Sequence, residues 1–142
     1  MKKTTIKKTI GCVEIITLKG TLCSKKVVAL IDTGATYTCI DKKIAEEIGF
    51  EKITRHIKIK LKASEENFVR RPVIKTCVGL DGAVFDVEAN IEDRSNMTFP
   101  VIVGRNVLYN HFLVDVEKNN TSFIITEQKD SFGEKIKDLT EN

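Results

Sequence analysis

Histidine, cysteine and proline are scarce in this chain, and each shortage removes a class of function. The two histidines, His56 and His111, stand in no H-E-x-x-H or comparable spacing, and Cys12, Cys23, Cys39 and Cys77 form neither a C-x-x-C pair nor a zinc knuckle. No metal and no cofactor is therefore expected, and the thiols are expected to stay free and buried. Two prolines and eight glycines in 142 residues, with 42% apolar and 30% charged side chains, exclude a disordered chain. The longest apolar run, Val27 to Ile31, falls far short of the roughly 20 residues a membrane-spanning helix needs. The basic N-terminus, Met1 to Lys8, leads into no apolar signal core, because Lys19, Lys25 and Lys26 break up the apolar residues after it. A cytoplasmic protein without membrane association is expected.

The residues present fit one domain with room for a real core, and no room for a second catalytic lobe. The domain is expected over residues 1–126, with a polar tail over 127–142 that frays. The net charge of +3 is unevenly spread. Residues 52–75 hold Lys52, Arg55, Lys58, Lys60, Lys62, Arg70, Arg71 and Lys75 against Glu65 and Glu66, so this segment either attracts an anionic partner or is a solvated face. Phe and Tyr are not interleaved with the basic residues 52–66, which argues against nucleic-acid binding by base stacking.

Hydrophobic periodicity predicts an all-β domain with one or two short helices. Val13 to Leu18 reads as a strand, Lys19-Gly20-Thr21 as a turn, and Val27 to Ile31 as a strand buried on both faces. Asp41 is placed to cap a helix over Lys42 to Ile48, with Ile44 and Ile48 on one face and Gly49 at the stop. Ile57, Ile59 and Leu61 alternate with lysines. Lys62 to Asn67 is turn-like, and Phe68 to Val78 returns as the second arm of a hairpin, with Pro72 marking an edge. Asp81-Gly82 is a hairpin turn before a strand through Phe85 to Ile91. Further strands are expected over Phe99 to Val103, Phe112 to Val116 and Ser122 to Thr126.

The residues with chemical promise are Asp32-Thr33-Gly34, directly after the doubly buried strand. A carboxylate there is costly to keep ionised unless hydrogen bonds or a partner charge support it, which invites a functional explanation. Asp and Gly are also ordinary turn formers, so the tripeptide alone is equally consistent with a β-turn. Its context is more specific: Ala35 and Thr36 come next, then a short helix ending Ile48-Gly49-Phe50, and later Val101-Ile102-Val103-Gly104-Arg105-Asn106-Val107-Leu108.

These two motifs, separated by a basic hairpin in the place of a flap, resemble the retropepsin fold of aspartic peptidases. The likeness covers about residues 10–118. Over Phe68 to Leu108 it is nearer to the retropepsin-like peptidases associated with ATP-grasp glutamate ligases, on the strings Arg70 to Thr76 and Glu92 to Pro100. Proteins of that group are often labelled ATP-dependent zinc proteases, but this chain has neither a phosphate-cradling G-x-x-x-x-G-K-[ST] loop nor a zinc ligand set. Two departures stand out. Viral enzymes usually carry an acid two residues after D-T-G, paired with the arginine of the later motif; here that place is Thr36, so Arg105 needs another partner. The tip Lys62 to Asn67 also lacks their glycines.

The resemblance implies a retropepsin-like acid-protease barrel, one lobe per chain. Two carboxylates about 3 Å apart cannot both ionise and so share a proton, giving one acid and one base. With a single D-T-G, the economical arrangement is a homodimer with both Asp32 side chains on a two-fold axis. By the same resemblance Thr33 braces the dyad across the interface, Gly34 sits against the substrate-side carboxylate, Ala35 lies against the peptide substrate, and Gly104, Arg105 and Asn106 are structural. Glutamate-rich substrates and a link to an ATP-grasp ligase are further implications, with Arg70, Arg71 and Lys75 as candidate carboxylate binders. Arg94 and Asn96 either join them or belong to a loop that bonds its own backbone. The alternative function is a retropepsin-fold binding or scaffold module without turnover.

Overall fold

The apolar run that ends at Asp32 sets the architecture. Residues 6–60 and 68–121 are described by the computed structural model, in which this run is β2 (Ser24–Ile31). Val27, Ala29 and Ile31 point into the main core, while Val28 and Leu30 pack with Val13, Ile15 and Phe99 in a smaller cluster on the other face. Both faces are covered, as uniform apolarity predicts. Each fully buried valine or isoleucine among them contributes about 1.5–3 kcal/mol through burial.

The neighbours of β2 follow from its pairing. It is joined by a hairpin to antiparallel β1 (Lys8–Lys19), and on its other edge it runs parallel to β7 (Val101–Val103). Antiparallel to β7 lies β3 (Thr38–Asp41), so β7 is enclosed between the strands before and after the Asp32 segment. That is the psi-shaped arrangement expected of a retropepsin lobe. Next to β3 runs β6 (Ala83–Glu92), paired in turn with the long β5 (Phe68–Leu80), whose end meets β1 through Thr17–Lys19. This last pairing closes the sheet into a barrel. Outside it, β4 (Arg55–Lys60) pairs, among the described residues, with β5 alone, and β8 (Phe112–Asn120) runs parallel to β1.

Two short helices complete the lobe. The first, α1 (Lys42–Ile48), has the predicted bounds, with Asp41 accepting from the Lys43 backbone N–H and Ile44, Ala45 and Ile48 in the core. The second, α2 (Arg105–Leu108), buries Val107 and Leu108. The β5–β6 turn uses Asp81 at φ 49° and Gly82 at φ 80°, the two positive values of a tight hairpin. Two elements that local sequence did not place are α2 and β3, the latter with Thr38, Cys39, Ile40 and Asp41 all buried, since periodicity is invisible in such short segments.

The strand expected over Ser122 to Thr126, the turn Lys62 to Asn67 and the tail 127–142 lie outside the described residues. Among those described, no helix is long and apolar enough to cross a membrane.

Candidate active site

Asp32 is half-buried at the start of the loop that leaves β2 for β3, and its immediate successors Thr33 and Gly34 are exposed. The loop is nonetheless tightly held. The Asp32 backbone N–H donates to the Val103 carbonyl at 2.9 Å, extending the β2–β7 ladder by one rung, and the Ala35 N–H closes a turn onto the Asp32 carbonyl at 3.2 Å. The Gly34 N–H donates to Asp32 Oδ1 at 2.9 Å, which fixes the rotation of the carboxylate. A Cβ on Gly34 would sit 3.3 Å from that same oxygen, a tight but tolerable approach.

Beneath the loop, the Gly104-Arg105-Asn106 segment supplies the frame. Gly104 is where glycine is obligatory for space: a Cβ there would lie 2.5 Å from the Tyr37 carbonyl oxygen and 2.9 Å from that of Ala35. Arg105 binds the loop at three points, its backbone N–H to the Ala35 carbonyl at 2.8 Å, Nη1 to the Thr33 carbonyl at 3.1 Å, and Nη2 to Thr36 Oγ1 at 3.0 Å. The hydroxyl of Thr36 thus fills the role left open by the missing acid. Asn106 Oδ1 accepts from both the N–H and the hydroxyl of Thr38, and its Nδ2 donates to the Glu88 carbonyl at 2.7 Å.

Thr38 was not visible as a site residue from sequence. Buried at the end of the loop, its hydroxyl donates to Asn106 and accepts from the Gly104 N–H, and its carbonyl accepts from Asn90 Nδ2. The only sequence signal is its place six residues after Asp32 in a loop otherwise rich in small residues.

The structure separates the expected substrate-binding cations. Arg70 is exposed on β5, opposite Lys58 of β4. Lys75 is exposed on the same strand and lines an open groove with Lys19, Lys52 and Glu88; none of residues 32–36 lines that groove. Arg71 is turned to Glu92, Nη2 to Oε1 at 2.7 Å. Arg94 is buried, donating through Nε to the Phe99 carbonyl and through Nη1 to Glu92, while its backbone N–H reaches Asp41 Oδ1. A buried guanidinium occupied in this way is unavailable to a peptide. Asn96 is exposed on the tight turn after Arg94, closed by the Met97 N–H on the Arg94 carbonyl. That turn adjoins Asp41, at the end of β3 away from the Asp32 loop, about 10 Å along the strand from Thr38.

Near the loop, Arg55 at the start of β4 lies over the Tyr37 ring, 5.8 Å from its centroid, and pairs with Glu88 at 3.3 Å. The hydrogen bond from Arg55 holds the Glu88 carboxyl below its usual range. Among the described residues, no group of three or more His, Cys, Asp or Glu side chains is arranged to hold a metal ion.

A family model of the RimB-like retropepsin-like aspartic endopeptidases matches residues 40–126. The chain belongs to this family. The matched span runs from β3 through β8 and includes the Gly104-Arg105-Asn106 frame, while Asp32 precedes it. Among solved structures, the chain is similar to a Legionella pneumophila protein of unknown function, at 16% identity and TM-score 0.54 over 81% of this chain and 98% of that one. It is also similar to the simian foamy virus protease, at 20% identity and TM-score 0.49 over 67% and 90% of the respective chains. A retropepsin-like aspartic protease from Rickettsia conorii matches at 20% identity and TM-score 0.43, over 66% and 68%. No curated protein matches. Family membership and the psi-shaped frame agree on a retropepsin-like, single-lobe, all-β protein.

Proposed function

We propose that the chain is an aspartic endopeptidase that acts as a homodimer, with Asp32 as the residue each copy contributes to the dyad. The observation that carries this reading is the state of Asp32, whose carboxylate is oriented by the Gly34 N–H on a loop anchored by Arg105 and Asn106. Such anchoring provides the precise placement that acid–base chemistry requires. One chain offers one such carboxylate, so a two-fold partner completes the pair. The two then share a proton: the ionised one takes a proton from water as it attacks the peptide carbonyl, and the protonated one gives its proton to the carbonyl oxygen. Thr33, Gly34 and Ala35 border the dyad and the bound peptide.

The substrates proposed are acidic, glutamate-rich peptides, with a functional link to an ATP-grasp ligase. Support comes from the hairpin, where Lys58 and Arg70 stand directly opposite each other. Like charges across a ladder repel, and an anionic peptide would relieve that repulsion. Arg70 and Lys75 are the exposed candidates on β5.

The test is incubation of the protein with a glutamate-rich and a neutral peptide, read by mass. Asp32→Asn should reduce turnover by about a hundredfold or more, because it removes the base while leaving the packing. Activity per chain should also fall on dilution through the dimer dissociation constant. Turnover undiminished in Asp32→Asn refutes the reading; peptide binding without cleavage by the wild type favours a scaffold.

A further inference from the structure

We propose that Glu92 is a positioning residue that latches the root of the β4–β5 hairpin to the barrel; its catalytic consequence rests on the peptidase reading above. The register shows where the hairpin leaves the barrel. Pairing of β5 with β6 begins at Val73 opposite Asn90. Continued by two residues, it would bring Arg71 opposite Glu92, but Pro72 intervenes and has no N–H to offer a ladder. From Phe68 to Pro72, β5 is paired only with β4.

At that break a side-chain pair replaces the backbone rung. Glu92 Oε1 takes Arg71 Nη2 at 2.7 Å from the hairpin, and Oε2 takes Arg94 Nη1 at 3.1 Å from the barrel. The barrel side is rigid. Arg94 is 4% exposed and bonded to the Phe99 carbonyl, its backbone N–H is held by the helix-capping Asp41, and Glu92 itself pairs with Asp41 in the β3–β6 ladder. The Cys39 thiol adds a weak donor 3.6 Å from Oε2. On the β5 arm of the hairpin root, Arg71 is largely covered and its guanidinium is held by Glu92, its Nε being buried without a hydrogen-bond partner, while the β4 arm is held separately by Arg55 on Glu88. Without Glu92 a charged guanidinium would be left buried and unpaired, an arrangement relieved only by turning out to water and carrying the hairpin root with it. Glu92 thereby sets the angle at which the hairpin leaves the barrel, next to the point where Arg55 of the same hairpin meets Tyr37 of the Asp32 loop.

Glu92→Gln and Arg71→Met test the latch on the full-length protein, by steady-state kinetics on a cleavable peptide and by amide hydrogen exchange. Both variants should raise KM about fivefold while changing kcat less than about twofold, as loss of substrate-stage positioning does. Exchange should quicken about tenfold at 55–60 and 68–72 and stay unchanged in β2 and β7. Arg71→Lys, which keeps the charge, should recover most of the KM, and the double variant should be no worse than either single one. If neither kinetics nor hairpin exchange moves, the latch does not exist. If β2 and β7 lose protection together with the hairpin, Glu92 is general barrel support and the proposal is overturned. Should Glu92→Gln fail to fold, Arg71→Met decides, since it alters only the hairpin side. Should the wild type cleave nothing, the peptidase reading fails while the exchange data still judge the latch.

Discussion

The loop that carries Asp32 and the β4–β5 hairpin are both exposed, yet they are held in opposite ways. Asp32, Thr33, Ala35, Thr36 and Thr38 are each tied to the segment Val103 to Asn106, through Val103, Gly104, Arg105 and Asn106. The hairpin has Ile57 as the buried side chain of β4 and is joined to the barrel through the Val73 region, the Arg55–Glu88 pair and the Arg71–Glu92 pair. Exposure therefore says little about rigidity. A hydrogen-bonded frame can hold a solvent-facing carboxylate in one geometry, whereas a two-stranded ribbon with few buried contacts depends on the contacts at its root.

The sharpest way to break that contrast is Gly104→Ala. The new methyl would meet the Tyr37 carbonyl carbon at 2.6 Å and its oxygen at 2.5 Å, both backbone atoms that can move only by displacing the Asp32 loop. Destabilisation of about 3 kcal/mol is expected in urea unfolding. Peptide turnover should fall about a hundredfold from the misplacement alone. Removing the exposed Arg55–Glu88 pair by Arg55→Gln should leave the unfolding midpoint where it is. If the two substitutions had similar effects, the loop would be no more rigidly framed than the hairpin.

A second test uses the thiols as reporters of the frame. Burial pushes the Cys39 thiol on β3 up to about 11, with nearby Arg94 pulling only partly the other way, whereas Cys23 is exposed. At pH 8 about one native Cys39 in a thousand is thiolate. An alkylating reagent should label Cys23 at once and Cys39 only on opening of the frame. The sign of the linkage is fixed by the raised value: stability is complete below the unfolded thiol's 9.0 and declines as pH climbs from there towards about 11. Rapid labelling of native Cys39 at pH 8 would show that β3 opens locally, against the contrast.

The same contrast explains what could be read from sequence. The helix Lys42–Ile48 was legible to the residue because its signals are local: a capping aspartate, an i,i+4 apolar pair and a terminal glycine. The doubly buried β2 was legible from uniform apolarity, and the Asp81-Gly82 turn from its dipeptide. β3 was not, because its strand character comes from β6 and β7, both distant in sequence. Thr38 is invisible for the same reason. For Arg71 and Arg94 the sequence left open whether they meet an anionic ligand or serve the structure, since only the fold brings Glu92 between them. Arg70, by contrast, is left exposed.

The smallest effect expected concerns the one position where the frame departs from the viral pattern. Thr36→Asp places a carboxylate where Arg105 Nη2 now finds a hydroxyl at 3.0 Å, turning a neutral acceptor into a charged one. Thr36 and Arg105 are both exposed, so the gain should be about 0.2–1 kcal/mol in urea unfolding at low salt. It should shrink with added salt, whose screening length falls from about 10 Å at 0.1 M to about 3 Å at 1 M. An aspartate paired with a guanidinium titrates below its unfolded value of about 3.9, so the gain is present at neutral pH and is lost as pH falls below about 4. Because the Thr33 carbonyl and the Ala35 carbonyl also hold Arg105, the loop should not shift and peptide turnover should stay near wild type. A loss of stability, or a gain indifferent to salt and pH, would mean that the Thr36 contact is incidental and that the two backbone carbonyls alone orient Arg105.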